Sequence, residues 1–223
     1  SCMIDDCLKE GRSVQEGGAV YNFTGPQGFG IANMADGLFA IRKLVYEEKK
    51  VSMEEFKEAL AWNYDKGLDA QSAGDMTEMI MKAMQKAGKE ADASTAAGLL
   101  KTFIGMKPGE QKTQRFKEIH DMIDEVPKFG NDIPEIDYFA REVAYTYSKP
   151  LQNYSNPRGG RFQAGLYPVS ANVPLGGQTG ATPDGRYAHT PVADGVSPSA
   201  GKDVKGPTAA ATSVSRSEER RVG

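Results

Sequence analysis

Apolar side chains recur every three to four residues along most of the first 150 positions of this 223-residue chain. A period near 3.6 residues places such side chains on one face of an α-helix, so the pattern predicts a series of amphipathic helices. The predicted helices cover residues 3–9, 31–50 and 53–64, a segment beginning at residue 75, a segment beginning at residue 92 or 94, and residues 111–126 and 132–148. This part of the chain is therefore expected to be mostly helical.

Polar residues at the predicted helix starts support several of these boundaries. Ser52 and Glu55 form a capping-box pattern, in which each side chain can accept the backbone N–H of the other. Asp75 and Asp132 precede predicted helices in a similar way and are expected to act as N-caps. The last of these helices should stop before Pro150, because a proline disfavours helical geometry in the residue that precedes it.

The pattern changes after residue 150. The last 73 residues contain 11 of the 25 glycines and 7 of the 12 prolines, which is typical of turns and loops. Short apolar runs predict strands at residues 19–24 and 166–173, and residues 207–214 are expected to form a short helix. In the second strand, alternation would place Tyr167, Val169 and Ala171 on one face. That face is compatible both with the lining of an apolar pocket and with ordinary barrel core.

Charge and composition narrow the classes of function. The chain has 27 Lys and Arg against 30 Asp and Glu, and neither half carries the basic stripe that is typical of nucleic-acid-binding proteins. No apolar run approaches the length of about 18 residues that indicates a membrane span. The N-terminus lacks the basic and apolar regions of a secretion signal, so a cytoplasmic location is expected. The first residue is Ser rather than Met, which favours a fragment of a longer protein.

Motif spacing alone identifies no active site. The two cysteines, Cys2 and Cys7, form neither a disulfide framework nor a CxxC metal knuckle. The two histidines, His120 and His189, have no second ligand at metal-binding spacing. Residues 28–33 (GFGIAN) lack the third glycine of a dinucleotide-binding loop, and no serine-nucleophile motif is present. Neither a metal nor a nucleotide cofactor is therefore expected.

Six runs stand out as long, ordered motifs. They are residues 17–28 (GGAVYNFTGPQG), 126–132 (VPKFGND), 165–176 (GLYPVSANVPLG), 179–186 (TGATPDGR), 193–198 (ADGVSP) and 206–210 (GPTAA). Together they resemble the glycyl radical enzymes of the pyruvate formate-lyase family, and the resemblance covers most of residues 1–215. The ADGVSP run is similar to the dehydratase and lyase branch of that family, which includes cobalamin-independent glycerol dehydratase and choline trimethylamine-lyase.

The resemblance implies a fold and a radical chemistry. The expected fold class is α/β: the chain would form the C-terminal part of a ten-stranded α/β barrel, helix-rich as a fragment. In this family a stored glycyl radical oxidises a cysteine at the centre of the barrel, and the resulting thiyl radical abstracts hydrogen from the substrate. The catalytic Gly-Cys-Val-Glu loop and the glycyl loop both fall outside this chain. No catalytic residue is therefore assigned, and the fragment is expected to be inactive alone.

The resemblance also implies site residues, a cofactor and partners. Tyr167 and Val169 match positions that face the substrate pocket in glycerol-dehydratase-like relatives, and they are expected to bind substrate. The cofactor would be a protein glycyl radical on a glycine outside this chain. The expected partners are a small-molecule substrate, an S-adenosylmethionine-dependent activating enzyme and, in the full-length protein, a second copy in a homodimer. Neither nucleic acid nor a membrane is expected as a partner.

Two departures from the family pattern affect the domain assignment. Residues 1–215 are assigned to a partial barrel domain, in which residues 66–111 exceed the usual connection and are interpreted as a helical surface insertion. Residues 216–223 resemble translated sequencing-adapter sequence and are expected to be a disordered, non-native tail, because they contain little apolar side chain to bury.

The expected activity is radical dehydration or C–X bond cleavage of a small polar substrate. Two alternatives stay open from the sequence. One is formate acetyltransferase activity, which belongs to the same family. The other is a non-catalytic fragment that docks onto a complete enzyme.

Overall fold

The chain folds mainly into helices in the computed structural model, which describes residues 1–68, 70–86 and 92–218. The helices are α1 (Cys7–Glu10), α2 (Ile31–Ile41), a π-helix (Arg42–Glu47), α3 (Met53–Ala61), α4 (Ala70–Lys86), α5 (Ala93–Phe103), α6 (Glu110–Glu125), α7 (Pro134–Leu151), α8 (Asn172–Gly177) and α9 (Pro207–Glu218). Within the described residues, pairing between extended segments is limited to three isolated bridges. The helix-rich character expected from the apolar periodicity is confirmed.

The predicted capping box forms at α3, and α5 begins within the predicted range with Asp92 as its N-cap. The Glu55 N–H donates to Ser52 Oγ over 3.2 Å, and the Ser52 N–H donates to the Glu55 carboxylate over 3.0 Å, which confirms the capping box. The backbone hydrogen bond from Ser52 is the largest cause that holds the pKa of Glu55 below its usual range. At α5, the Asp92 carboxylate accepts the Thr95 N–H over 2.8 Å, as an N-cap does.

Two predicted N-caps are wrong. Asp75 lies inside α4, because that helix begins earlier than the pattern indicated. Asp132 has a φ of 55° and precedes Ile133, which is the N-cap residue of α7. The Asp132 carboxylate pairs instead with the guanidinium of Arg216. α7 also continues past Pro150 to its last residue, Leu151, so the hydrogen bond that the proline removes belongs only to the last turn.

The strand predicted for residues 166–173 is also wrong. Residues 166–169 have no regular secondary structure, and α8 begins at Asn172. Pro168 has no N–H to donate to a neighbouring strand. Pro174 lies in the first turn of α8, where a helix does not require the missing N–H. The two prolines therefore explain why an apolar run with strand-like alternation forms a coil followed by a short helix.

One compact unit, here called the three-segment unit, is built from residues 1–32, 129–170 and 193–223. Within it, α7 packs against α9. Ile31, Ala144 and Leu166 form a buried apolar cluster, against which Tyr147 and Val196 also pack. This cluster ties residues from all three segments into one core.

α9 extends further than predicted, since it ends at Glu218 rather than near residue 214. Residues 216–218 therefore belong to a helix, and the disorder expected from residue 216 onward is not observed for them. Residues 219–223 of the predicted tail lie outside the described residues. The non-native origin of the tail stays a prediction.

The other compact unit, here called the two-segment unit, is built from residues 33–128 and 171–192. Within it, α4 packs against α5, and α3 contacts α6. Large side chains with almost no exposed surface fill its interior, among them Phe39, Phe56, Tyr64, Ile119 and Ile123. α4 and α5 lie in the predicted insertion of residues 66–111, of which residues 69 and 87–91 are outside the described part of the chain. The insertion itself stays a prediction.

Candidate functional site

Two extended stretches of the three-segment unit, residues 24–28 and 161–165, pair in the parallel direction. Backbone hydrogen bonds of 2.8 to 3.1 Å run from the N–H of Thr24 to the carbonyl of Arg161, from Gln163 to Thr24, from Gly165 to Pro26, and from Gly28 to Gly165. Of the strand predicted for residues 19–24, only Thr24 takes part in a bridge. The pairing aligns two stretches that are far apart in the sequence, each of which ends in glycine.

Asn156 and Gly160 hold these two stretches together at one end. Asn156 is buried, and its side-chain amide donates to the Asn22 carbonyl oxygen and to Thr24 Oγ1, the latter over 3.0 Å. A Cβ atom at Gly160 would lie 1.7 Å from the Asn22 carbonyl oxygen. Only glycine allows this approach, so the position fixes where the second stretch begins.

A cleft of about 450 Å³ opens beside the paired stretches. It is lined by Phe23, Gly25, Gln163, Ala164, Gly165, Leu166, Tyr167, Pro168 and Val196. Among these side chains, the phenol of Tyr167 and the amide of Gln163 are polar, and the others are apolar. Apolar walls with a few polar groups at this volume are typical of a small-molecule site.

Of the two predicted substrate-binding residues, Tyr167 lines this cleft and is 58% exposed. Val169 is half-buried, and in the part of the chain that the structure describes it is not among the residues that line the cleft. Because residues 166–169 form no regular strand, the alternation that grouped Tyr167 with Val169 and Ala171 does not apply. The two residues therefore occupy different environments in this structure.

Sequence reasoning missed the contacts that fix the backbone of Tyr167. The side-chain amide of Gln27 donates a hydrogen bond to the Tyr167 carbonyl oxygen. On the neighbouring residue, the Leu166 carbonyl oxygen accepts the Val196 N–H over 2.9 Å. The sequence signal for these contacts is that the donors, Gln27 and Val196, lie within two of the ordered runs, residues 17–28 and 193–198.

A buried polar cluster in the two-segment unit also brings titratable groups together. The His120 ring stacks on the Tyr187 ring at 4.7 Å and meets the Tyr64 ring edge-on at 4.9 Å. His120 Nε2 lies 2.8 Å from the Gly185 carbonyl oxygen, and the Tyr187 hydroxyl donates to Asp65 over 2.9 Å. Burial is the largest cause that raises the pKa of both Tyr64 and Tyr187.

The groups of this cluster bind one another and the backbone. The Tyr64 hydroxyl donates to the Thr182 carbonyl oxygen over 2.7 Å. Arg186 is 8% exposed, and its guanidinium donates to several carbonyl oxygens, including that of Thr190 over 2.6 Å. A network of this kind, in which polar groups are paired internally, is typical of a structural role. The cleft of the three-segment unit is therefore the stronger candidate for ligand binding.

The described ranges contain neither a metal-binding cluster nor a membrane-spanning helix. There, no group of three or more His, Cys, Asp or Glu side chains is arranged to hold a metal ion. The thiols of Cys2 and Cys7 are free, with Cys2 exposed and Cys7 buried. None of the helices that the structure describes combines the length and the apolar character needed to cross a bilayer.

Comparison with known proteins identifies the family. The family model of pyruvate formate lyase-like proteins matches residues 1–176. The probable dehydratase YbiW of Escherichia coli (strain K12) is 35% identical to this chain over 222 residues, which are 97% of this chain and 22% of that protein.

Solved structures match over nearly the whole chain. A structure that describes 1,2-propanediol dehydration in Roseburia inulinivorans is 59% identical, with a TM-score of 0.88, and the match covers 97% of this chain and 26% of that one. The glycerol-bound form of the B12-independent glycerol dehydratase from Clostridium butyricum is 41% identical, with a TM-score of 0.65, over 97% of this chain and 21% of that one.

The chain spans about a fifth to a quarter of the length of these relatives. Within that stretch, the folds of this chain and the solved relatives agree, as the TM-scores show. The family matched by residues 1–176 is the one that the ordered runs of the sequence resembled. This chain belongs to the pyruvate formate lyase-like family of glycyl radical enzymes.

Proposed function

We propose that this chain is part of a glycyl radical enzyme that removes water from, or cleaves a C–X bond in, a small polar substrate such as a vicinal diol. The observation that carries the proposal is the cleft of about 450 Å³, whose apolar walls hold the phenol of Tyr167. Two similar structures describe the dehydration of 1,2-propanediol and bound glycerol, which are small polyols that a site of this character would suit.

The cleft residues provide the two kinds of contact that a diol requires. The Tyr167 phenol can donate a hydrogen bond to a substrate hydroxyl or accept one from it. The carbon skeleton of the substrate would lie against apolar groups such as Leu166 and Val196. Closing an apolar cleft over a bound diol would also exclude water, which protects reactive intermediates from side reactions. We include Val169 in the proposal as a residue that contacts substrate in the full-length enzyme.

The remaining parts of the proposal concern the full-length protein. A glycyl radical on a glycine elsewhere in the full-length protein would supply the one-electron chemistry. An S-adenosylmethionine-dependent activating enzyme would generate it, and the full-length protein would form a homodimer in the cytoplasm. The parallel pair of residues 24–28 and 161–165 would belong to the ten-stranded barrel.

A chimera tests the proposal directly. Residues 1–215 of this chain replace the corresponding stretch of the Roseburia inulinivorans enzyme, which is 59% identical to this chain. After anaerobic activation, the glycyl radical is quantified by electron paramagnetic resonance, and loss of water from 1,2-propanediol and glycerol is followed as carbonyl product. We expect radical formation together with turnover of at least one diol. A chimera that carries the parent's amount of radical but dehydrates neither diol would contradict the proposal.

A further inference from the structure

Gln27 reaches across the fold to the backbone of Tyr167. Its side-chain amide donates to the Tyr167 carbonyl oxygen, although the two residues are 140 positions apart. The backbone of Gln27 bridges Gly165, and among the described residues this is the last bridge of the parallel pair. Two residues beyond Gly165, the Gln27 side chain thus donates to a backbone carbonyl, as the backbone N–H groups do within the parallel pair.

The peptide next to this contact is held from a second side by Gly195 and Val196. The Val196 N–H donates to the Leu166 carbonyl oxygen over 2.9 Å. Gly195 has a φ of 56°, and a Cβ atom there would lie 2.3 Å from the Leu166 carbonyl oxygen and 2.7 Å from the Tyr167 carbonyl carbon. Glycine allows both the positive φ and the close approach. The backbone of Tyr167 is therefore held between the Gln27 amide and residues 195–196.

Gln27 is itself anchored through the peptide bond that precedes it. The Tyr147 hydroxyl, which belongs to α7, donates to the Pro26 carbonyl oxygen over 2.6 Å. Tyr147 also packs against the buried cluster that contains Leu166. The donor that fixes Tyr167 is thus tied to the core of the three-segment unit.

We propose that Gln27 is a positioning residue for substrate recognition, which fixes the Tyr167 carbonyl and thereby the direction in which the phenol enters the cleft. This inference rests on the proposed function. Gln27 is not among the described residues that line the cleft, so it acts through Tyr167 rather than on the substrate. A neutral amide suits this task because it offers N–H groups to a carbonyl, whereas a carboxylate of the same length would place acceptor against acceptor.

The first test measures kinetics in the Roseburia chimera. Gln27→Met keeps the length of the side chain and removes its donor. We expect the KM for 1,2-propanediol to rise about two- to tenfold, with kcat within about twofold, because a misdirected phenol weakens the binding of substrate and transition state alike. Gln15→Met is the matched control, since Gln15 is an exposed glutamine outside the cleft, and it should leave KM unchanged.

A double-mutant cycle separates positioning from general stability. In a Tyr167→Phe background the phenol oxygen is absent, so Gln27→Met should raise KM much less than in the unsubstituted chimera. An equal rise in both backgrounds, or no rise in either, overturns the positioning role. A Gln27→Met chimera that loses radical content and thermal stability as well as affinity also overturns it, because the role is then structural.

A second readout needs no turnover and so distinguishes this inference from the proposed function. 3-Fluorotyrosine is placed at residue 167 of the chimera, and its fluorine resonance is recorded with and without Gln27→Met. We expect the substitution to shift or broaden the resonance and Gln15→Met to leave it unchanged. Identical spectra for Gln27→Met and the unsubstituted chimera overturn the inference even if diols are dehydrated. A chimera without diol turnover contradicts only the proposed function if the resonance responds as expected.

Discussion

The Arg216 guanidinium donates a hydrogen bond of 2.9 Å to the carboxylate of Asp137, a residue with no exposed surface. The Arg216 side chain also pairs with Asp132. Asp137 Oδ2 accepts this bond, whereas its Oδ1 has no hydrogen-bond partner among the described residues. Because an unpaired buried carboxylate is strongly unfavourable, the packing of α9 on α7 depends on this one guanidinium.

Removing Arg216 should therefore destabilise the three-segment unit. We expect Arg216→Met, in a chimera extended through residue 218 of this chain, to lower the midpoint of thermal unfolding by several degrees, because it leaves the Asp137 carboxylate buried without a countercharge. Arg12→Met, at an exposed arginine of the same unit, is the matched control and should change the midpoint little. Equal midpoints for the two variants would show that the ion pair contributes nothing measurable to stability.

Tyr167 should matter for turnover and not for stability. Tyr167→Phe should lower kcat/KM on 1,2-propanediol by a factor that corresponds to about 0.5–1.5 kcal/mol, the usual net value of a neutral hydrogen bond. Tyr167→Ala should lower it further, yet change the midpoint of thermal unfolding of the chimera little, because the side chain is 58% exposed in this chain. Both variants are compared per glycyl radical. Full turnover by Tyr167→Ala at normal radical content would remove Tyr167 from the substrate pocket.

The isolated chain should bind hydrophobic dyes strongly or aggregate. Large apolar and aromatic side chains of the three-segment unit are exposed, including Val20 (56%), Tyr21 (84%), Phe23 (57%) and Tyr154 (61%). Exposed patches of this kind in a piece of a larger protein mark surfaces that another part of the protein covers. We expect strong dye fluorescence from residues 1–215 and little from the active chimera. A monomeric, dye-free chain with a sharp unfolding transition would be evidence for an independently stable domain.

Alkaline pH should destabilise the two-segment unit. Burial, with the Asp184 carboxylate as a second cause, raises the pKa of Tyr64 in the folded state. Since the unfolded chain ionises this phenol near its ordinary pKa of about 10, the stability is complete below that pH and falls as the pH rises above it. Tyr64→Phe removes one such group, so its stability should fall less steeply above pH 10.

Tyr64→Phe should also cost about 0.5–1.5 kcal/mol at neutral pH, because the hydrogen bond to the Thr182 carbonyl is lost. Urea unfolding of the chimera at several pH values measures both effects, and Tyr21→Phe is the exposed control. If Tyr64 ionises near pH 10 in the native protein, as absorbance at 295 nm would reveal, the burial assigned to it here is incorrect.

Local signals in the sequence predicted local structure well. The Ser52 capping box was recognisable because it involves residues three positions apart. Asp132 has an equally suitable sequence context, but its carboxylate pairs with Arg216, which is 84 positions away and could not be foreseen. A long-range ion pair thus replaced a local cap. Similarly, apolar alternation could not predict that Pro168 would leave residues 166–169 outside any regular strand.

The candidate site, too, was predictable from the sequence only in part. Resemblance to a family identified Tyr167 before its surroundings were known, and the structure places that residue on the cleft. The hydrogen bond from Gln27 has no signature in spacing or composition, because it joins two loops that the fold alone brings together. Val169 shows the limit of pattern reasoning, since its grouping with Tyr167 depended on a strand that does not form.

The order in which the three-segment unit is encoded has a consequence for its synthesis on the ribosome. Gln27 and Tyr167 are separated by 140 positions, so their contact waits until most of the chain has been translated. At about 5–20 residues per second, that delay is roughly 7–28 s. During this time the N–H groups of Thr24 and Gly28 lack the carbonyl acceptors of Arg161 and Gly165 that they have in the folded chain. The parallel pair of residues 24–28 and 161–165 is therefore expected to form late, only after residue 165 has emerged from the exit tunnel.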